Sequence, residues 1–359
     1  MEESGDWRKT LAAVWLAQAF SSIGFSFVFP FMPLYVQTLG ISDLGEVARW
    51  AGMISAAAAV SMTIMQPVWG HLSDRTGRKT MLIRSMFGGG TLIGLMGFAR
   101  SPLQVLVLRF LWGGITGVGA ASTTLVATSA PKHRVGFALG LMTVAMFTGN
   151  SLGPLLGGLV ADSLGYRAAF FGAGLCLFLG GLIAVFLIKE NFVKPEPGQK
   201  QPTLRSESKT LFAISLFPVL LLVIFLIQLG ATIVSPILSL FIAALNGPDG
   251  VATIAGTVFA VAGVTSALAA VVIGRISDQI GPVVILPICL LGAAAAYVPQ
   301  AFVHQVWQLL ALRVLLSVFL GGLMPSANTL VAKVVPMEKR GAAFGFTSMP
   351  AQARAPQVP

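Results

Sequence analysis

The sequence predicts an all-α polytopic membrane protein made of two six-helix halves. Three observations carry that prediction: long runs without charge, the placement of lysine and arginine, and an internal repeat. Of 359 residues, 55% are hydrophobic and only 10% charged, with a mean hydropathy of +0.85. Soluble domains carry about 25% charged residues. Asp, Glu, Lys and Arg are absent from 10–42, 50–73, 110–131, 135–161, 168–188, 210–248, 250–274, 279–312 and 314–332. A helix needs about 20 mostly apolar residues to cross a bilayer. A β-barrel would show roughly 10-residue alternating segments instead.

The runs place spans near 10–37, 48–70, 80–99, 102–126, 136–161 and 167–188. Four more lie near 210–243, 251–273, 282–302 and 306–332, which makes ten complete spans. Residues 1–188 form the N-terminal six-helix half, and 189–209 a polar, cytoplasmic linker. Residues 210–348 form the C-terminal half, with four complete spans and the start of a fifth. The first apolar run is too long for a signal-peptide core of roughly 7–15 residues and reads as an uncleaved span.

Orientation follows from the basic residues. With the amino terminus inside, seventeen Lys or Arg fall on the cytoplasmic side and only Arg49, Arg100 and Arg167 outside. The expected location is the inner cell membrane. The net charge of +10 thus serves orientation and contact with lipid headgroups, not nucleic acid. Cys176 and Cys289 lie deep in apolar runs, and the three histidines lack metal-ligand spacing. No cofactor or metal is expected.

The halves repeat each other. Gly24, Pro30 and Leu34 recur as Gly230, Pro236 and Leu240, and Gly70, Ser73, Asp74 and Gly77 as Gly274, Ser277, Asp278 and Gly281. Gln104, Leu106 and Arg109 recur as Gln308, Leu310 and Arg313. Thr124 to Ala127 recur as Thr329 to Ala332, and Pro131, Gly136 and Gly140 as Pro336, Gly341 and Gly345. Tandem duplication of this kind is typical of secondary transporters. Beyond Gly345 the match runs out. Residues 341–348 would reach only about 12 Å against a core of about 30 Å. Residues 349–359, with three prolines and an arginine, read as a non-native tail. The last two helices are therefore expected to be missing.

Three motifs carry chemistry. The loop after span two runs Gly70-His71-Leu72-Ser73-Asp74-Arg75-Thr76-Gly77-Arg78-Lys79. Its glycines permit a tight turn, and Asp74 at the membrane edge can hold a cation or a helix N-terminus. Span five carries Gly149, Gly153, Pro154, Gly157 and Gly158, whose spacing allows close helix packing. Arg109 and Arg313 lie within spans, where a charge is costly and suggests function. No Asp or Glu lies mid-span; the carboxylates nearest the spans include Asp74 and Asp162.

The loop resembles the signature of the major facilitator superfamily, Gly-x-Leu-x-Asp-Arg-x-Gly-Arg-Lys, and matches it at every fixed position. Gly274, Asp278 and Gly281 stand where the second copy belongs, without the closing basic pair. The span-five string is similar to the antiporter motif of drug/proton exchangers. Arg109 resembles the span-four arginine implicated in proton coupling, although Trp112 replaces the expected glutamine. Asp6-Trp7-Arg8-Lys9 and Phe29 to Val36 resemble the bacterial multidrug-exporter branch. The resemblance implies that Asp74 latches near Gly341 and Asp278 near Gly136. It implies a cavity lined by spans one, four, seven and ten, offering Gln18, Ser22, Phe25, Phe29, Trp112, Gln228, Phe319 and Asn328, with Phe147 and Asn150 from span five.

An aromatic, acid-poor cavity suits amphipathic small molecules. The expected protein is a monomeric, proton-coupled exporter working by alternating access, surrounded by membrane lipids. A sugar or metabolite facilitator is one alternative. A truncated, inactive or regulatory membrane protein is the other. No nucleotide-binding loop or catalytic triad is present, so no enzyme is expected.

Overall fold

A computed structural model describes residues 3–131, 134–190, 211–214, 216–247 and 249–336; of Asp74 and Asp278 only the backbone is described. Most of the expected linker, the expected tail, His133 and Gly341 lie outside these residues. The described residues contain helices and no strands. In order they are α1 (Glu3–Val28), α2 (Met32–Thr38), α3 (Leu44–Thr76), α4 (Arg78–Met96), α5 (Pro102–Ile115), α6 (Val118–Ser129), α7 (Val135–Leu164) and α8 (Tyr166–Leu187). Then follow α9 (Leu216–Asn246), α10 (Val251–Ile280), α11 (Pro282–Tyr297) and α12 (Val306–Val334). Short 3-10 turns cover Phe29–Phe31 and Val298–Phe302.

Three expected spans are not single α-helices, the span near 282–302 closing in the 3-10 turn at Val298–Phe302. Span one bends through the 3-10 turn at Phe29–Phe31, because Pro30 and Pro33 each lack a backbone donor. Span four is broken. α5 ends at Ile115, Thr116 is extended, and Gly117 adopts φ 153° before α6 begins. Seven helical segments among the described residues are long and apolar enough to cross a membrane. α4 falls outside that set because Arg78, Lys79 and Arg84 crowd its first two turns. The α5 segment fails on length because of the break.

The chain falls into two compact units, Met1–Glu196 with Pro236–Ala260, and Pro197–Ser235 with Val261–Pro359. In the first, α1 packs on α7 and α8, α4 on α8, and α3 on α5. Its core includes Val14, Ala17, Leu82, Met86, Leu125, Ala138 and Ala184. In the second, α11 packs on α12. There Phe217, Ile224, Leu286, Cys289, Ala327 and Val331 are buried together. Large apolar side chains such as Phe186, 76% exposed, and Leu291, 72% exposed, lie on the surface.

Helix ends reproduce the internal repeat. Gly77 and Gly281 have φ of 92° and 105°, a region that disfavours side chains. Their N–H groups donate to Ser73 O at 3.0 Å and Ser277 O at 2.9 Å. Gln104 Oε1 accepts from the Arg100 N–H at 2.8 Å, and Gln308 Oε1 from the His304 N–H at 3.0 Å. Each glutamine reaches back over the first turn of its helix and satisfies the N–H of the residue just before the N-cap.

Candidate functional site

The glycine string of α7 has two working faces. One lies on α1: Ser26 Oγ donates to Gly149 O at 2.9 Å, and a Cβ at Gly157 would overlap the carbonyl oxygen of Phe27. Gly149 and Gly153 meet Ser22 and Ser26 in the same way. The other face lies on the start of α10. A Cβ at Gly158 would overlap Ala252 O, and one at Gly256 would overlap Pro154 O. Proline at 154 has no N–H, so the helix bends there and its neighbouring backbone can approach α10.

Asp162 completes the second contact. Its Oδ1 accepts from the Ala252 N–H at 3.2 Å and its Oδ2 from the Thr253 N–H at 2.6 Å. These donors belong to the first turn of α10, where the helix dipole also favours an anion. Glu190 does the same for α4, accepting from the N–H of Arg78 at 2.9 Å and of Lys79 at 2.7 Å. Lys79 Nζ donates to Val185 O at 2.9 Å. The sequence marks Glu190 only as a linker residue; its sequence separation of more than 110 residues from its partners hides the role.

Arg109 is 2% exposed. Its Cζ lies 4.5 Å from the Trp112 ring centroid and 5.8 Å from those of Phe25 and Phe29. The rings form a ladder: Phe25 stacks on Trp112 at 5.3 Å and on Phe29 at 5.9 Å. Arg109 Nε and Nη1 and Trp112 Nε1 are buried without a hydrogen-bond partner among the described residues. Arg313, at the repeat position, is only part-buried and interacts electrostatically with Tyr297.

Arg84 sits in the second turn of α4, with its Cζ 3.4 Å from the Trp69 ring centroid. Its Nη2 donates to Ser85 Oγ at 3.0 Å. Trp69 Nε1 in turn donates to Gly114 O, a carbonyl freed by the break in span four.

The remaining expected cavity residues divide. In the first unit, buried Gln18 donates through Nε2 to Ser22 Oγ at 3.1 Å, while Phe147, 39% exposed, and Asn150 lie on the surface of α7. In the second unit, Gln228 is exposed and Asn328 part-buried. Phe319 lies over Gly292, where a Cβ would meet its ring, and joins Ala293, Ala296 and Leu316. Packing on α11 therefore accounts for Phe319. In the loop, Gly70 has open space around it and Arg75 is exposed on the last turn of α3, where a cation suits the helix end. Gly274 likewise has open space.

Seven helical segments among the described residues, long and apolar enough to cross a membrane and with exposed hydrophobic faces, define a multi-pass membrane protein. The chain belongs to the Major Facilitator Superfamily, whose model matches residues 14–220 and 220–353. It is 36% identical over 345 residues to "Multidrug resistance protein MdtG" of Salmonella paratyphi A, covering 95% of this chain and 84% of that one. The Salmonella typhimurium protein of the same name is 35% identical over the same shares. Among solved structures, it resembles a bacterial homologue of the human lysosomal transporter Spinster in an inward-facing, unoccupied conformation. That match has a TM-score of 0.81 at 16% identity, over 97% of this chain and 80% of the other. A D-xylose-proton symporter matches with a TM-score of 0.69 at 14% identity, over 97% and 87%. The protein is a secondary transporter of small molecules.

Proposed function

We propose that this transporter exports amphipathic drugs or similar small molecules in exchange for protons, by alternating access across the inner cell membrane. The observation that supports the reading most is 36% identity, over 95% of the chain, to a protein named for multidrug resistance. The aromatic ladder gives it chemistry. Phe25, 37% exposed, and Trp112 behind it offer flat apolar surface without a competing carboxylate.

The amino terminus is cytoplasmic in this reading, the protein is a monomer, and lipid surrounds its exposed apolar faces. Asp74 and Asp162 are the carboxylates proposed to exchange protons, with Arg109 and Arg313 as the intramembrane cations that respond. The loop Gly70 to Lys79, with Gly274, Asp278 and Gly281, forms the gate. The glycines of α7 hold the exporter's close helix contacts. The test is efflux from proteoliposomes or everted vesicles, using a fluorescent amphipathic dye. Export abolished by a protonophore supports the reading. Gradient-independent equilibration of a sugar, with no dye export, overturns it.

A further inference from the structure

We propose that the Arg109 cluster is a recognition subsite for an anionic group, a carboxylate, sulfonate or phosphonate, carried on a planar apolar substrate. This deepens the exporter reading and rests on it. A wholly buried cation ordinarily has a counter-charge, because the desolvation cost is otherwise several kcal/mol. Arg109 has none among the described residues. The apolar runs around it, 10–42, 50–73, 110–131, 135–161 and 168–188, contain no Asp or Glu at all. Arg109 stands on the third turn of α5, so carboxylates at the helix ends are out of reach.

What surrounds the guanidinium instead is three ring faces. Ring quadrupoles attract a cation, but only weakly beside a full negative charge. They leave the N–H groups in place as donors: Arg109 Nε and Nη1, and Trp112 Nε1, are all buried and unpartnered. The Arg109 pair Nε and Nη1, with no acceptor assigned to it, matches an oxyanion, whereas Trp112 Nε1 lies beside Gly89 of α4. Buried polar groups in folded proteins are almost always satisfied, and an exception needs an explanation. A ligand that arrives with its own acceptor supplies one.

The ladder supplies the other half of the ligand. Phe25, its ring centroid 5.8 Å from the guanidinium carbon, is itself 37% exposed. An exposed ring changes rotamer quickly. Its movement would open Arg109 to an anion while Trp112 and Phe29 stay in place to stack on the ligand's apolar plane. The favoured substrate is thus an aromatic anion rather than the aromatic cation that an acid-bearing cavity would select.

The test is calorimetric titration of the full chain in lipid nanodiscs, with empty discs subtracted. The probes are 2-naphthalenesulfonate and its neutral counterpart 2-naphthalenesulfonamide. The sulfonate should bind at least about tenfold more tightly to the wild type, as charge-assisted hydrogen bonds allow. Arg109→Gln should bring the two probes within about twofold, and Arg109→Lys should restore part of the difference. Equal binding of the two probes to the wild type overturns the subsite. So does a preference for sulfonate that survives in an Arg109→Gln protein melting at the wild-type temperature. The wild-type comparison needs no variant, so misfolding of Arg109→Gln leaves it decisive. Vesicle efflux is scored separately. Export of neutral amphipaths without anion preference removes the subsite and retains the exporter, whereas anion-selective binding without any export does the reverse.

Discussion

Span four and span ten hold equivalent places in the sequence repeat, yet one is broken and the other continuous. Between Arg109 and Thr124 lie the end of α5, the extended Thr116, Gly117 at φ 153° and the start of α6. Between Arg313 and Thr329 α12 runs without interruption and accommodates Pro325. The separations differ by one residue, 15 against 16. A helical residue rises about 1.5 Å and an extended one about 3.3 Å, so with Thr116 extended each route covers about 24 Å. The shorter sequence reaches the same height by unwinding. The single-residue drift in the repeat is the trace that the break leaves in the sequence.

The difference carries over to neighbouring side chains. Beside the break, the freed Gly114 carbonyl is taken by Trp69, which also stacks on Arg84. One turn before it, Arg109 is enclosed by Phe25, Phe29 and Trp112. In span ten the position of Trp112 is occupied by Leu316, and Arg313 meets Tyr297 instead. Both copies therefore carry the cation, while among the described residues the aromatic enclosure surrounds Arg109.

The largest test of this contrast is functional. Arg109→Gln should cut dye efflux by at least about tenfold, the loss of a charged hydrogen-bonding group in a dry site. Arg313→Gln should cost less than half of that in log units. Equal losses, measured in the same vesicles, would make the two arginines equivalent and break the comparison.

The next test separates two reasons for a glycine. Gly117 has only Arg84 Nη2 and Ser85 Oγ near its missing Cβ, both at 3.9 Å, so its requirement is conformational. Gly321, its counterpart, has ordinary helical backbone, but a Cβ there would overlap Ser266 O. Gly321→Ala should destabilise by about 1–3 kcal/mol through overpacking. Gly117→Ala should cost a comparable 1–3 kcal/mol through backbone strain, and Gly117→Asn should recover part of it. Gly321→Asn should be worse than Gly321→Ala. Thermal unfolding of the purified variants reads all four.

Trp69→Phe keeps a ring over Arg84 and removes only the N–H that serves Gly114 O. It should cost about 1 kcal/mol and leave the helix break less protected from hydrogen exchange. Should protection stay unchanged, the indole is not what holds the break. The smallest expected effect tests likeness rather than difference. Gln104→Ala and Gln308→Ala each remove one reach-back bond and should lower stability equally, by about 0.5–1 kcal/mol.

Much of the site was legible only as composition. The glycines of span five announced close packing, but not that Gly149, Gly153 and Gly157 would meet α1 while Pro154 and Gly158 met α10. Asp162 could be read as a carboxylate at a membrane edge; its two acceptor contacts lie 90 and 91 residues away. Phe319 looked the same as Phe25 in sequence, yet one packs on Gly292 and the other lies half open beside an arginine.

The sequence by itself determined the helical, membrane-spanning character and the placing of Arg109 and Arg313 within apolar helices. Those properties are local or periodic: a charge-free run of twenty residues must be helical in a bilayer, because no water is there to satisfy its backbone. Tertiary structure decided where a span unwinds, which rings enclose Arg109, and which helix ends Asp162 and Glu190 hold. Each of those depends on partners brought together across the bundle, and no window of neighbouring residues contains both members of such a pair.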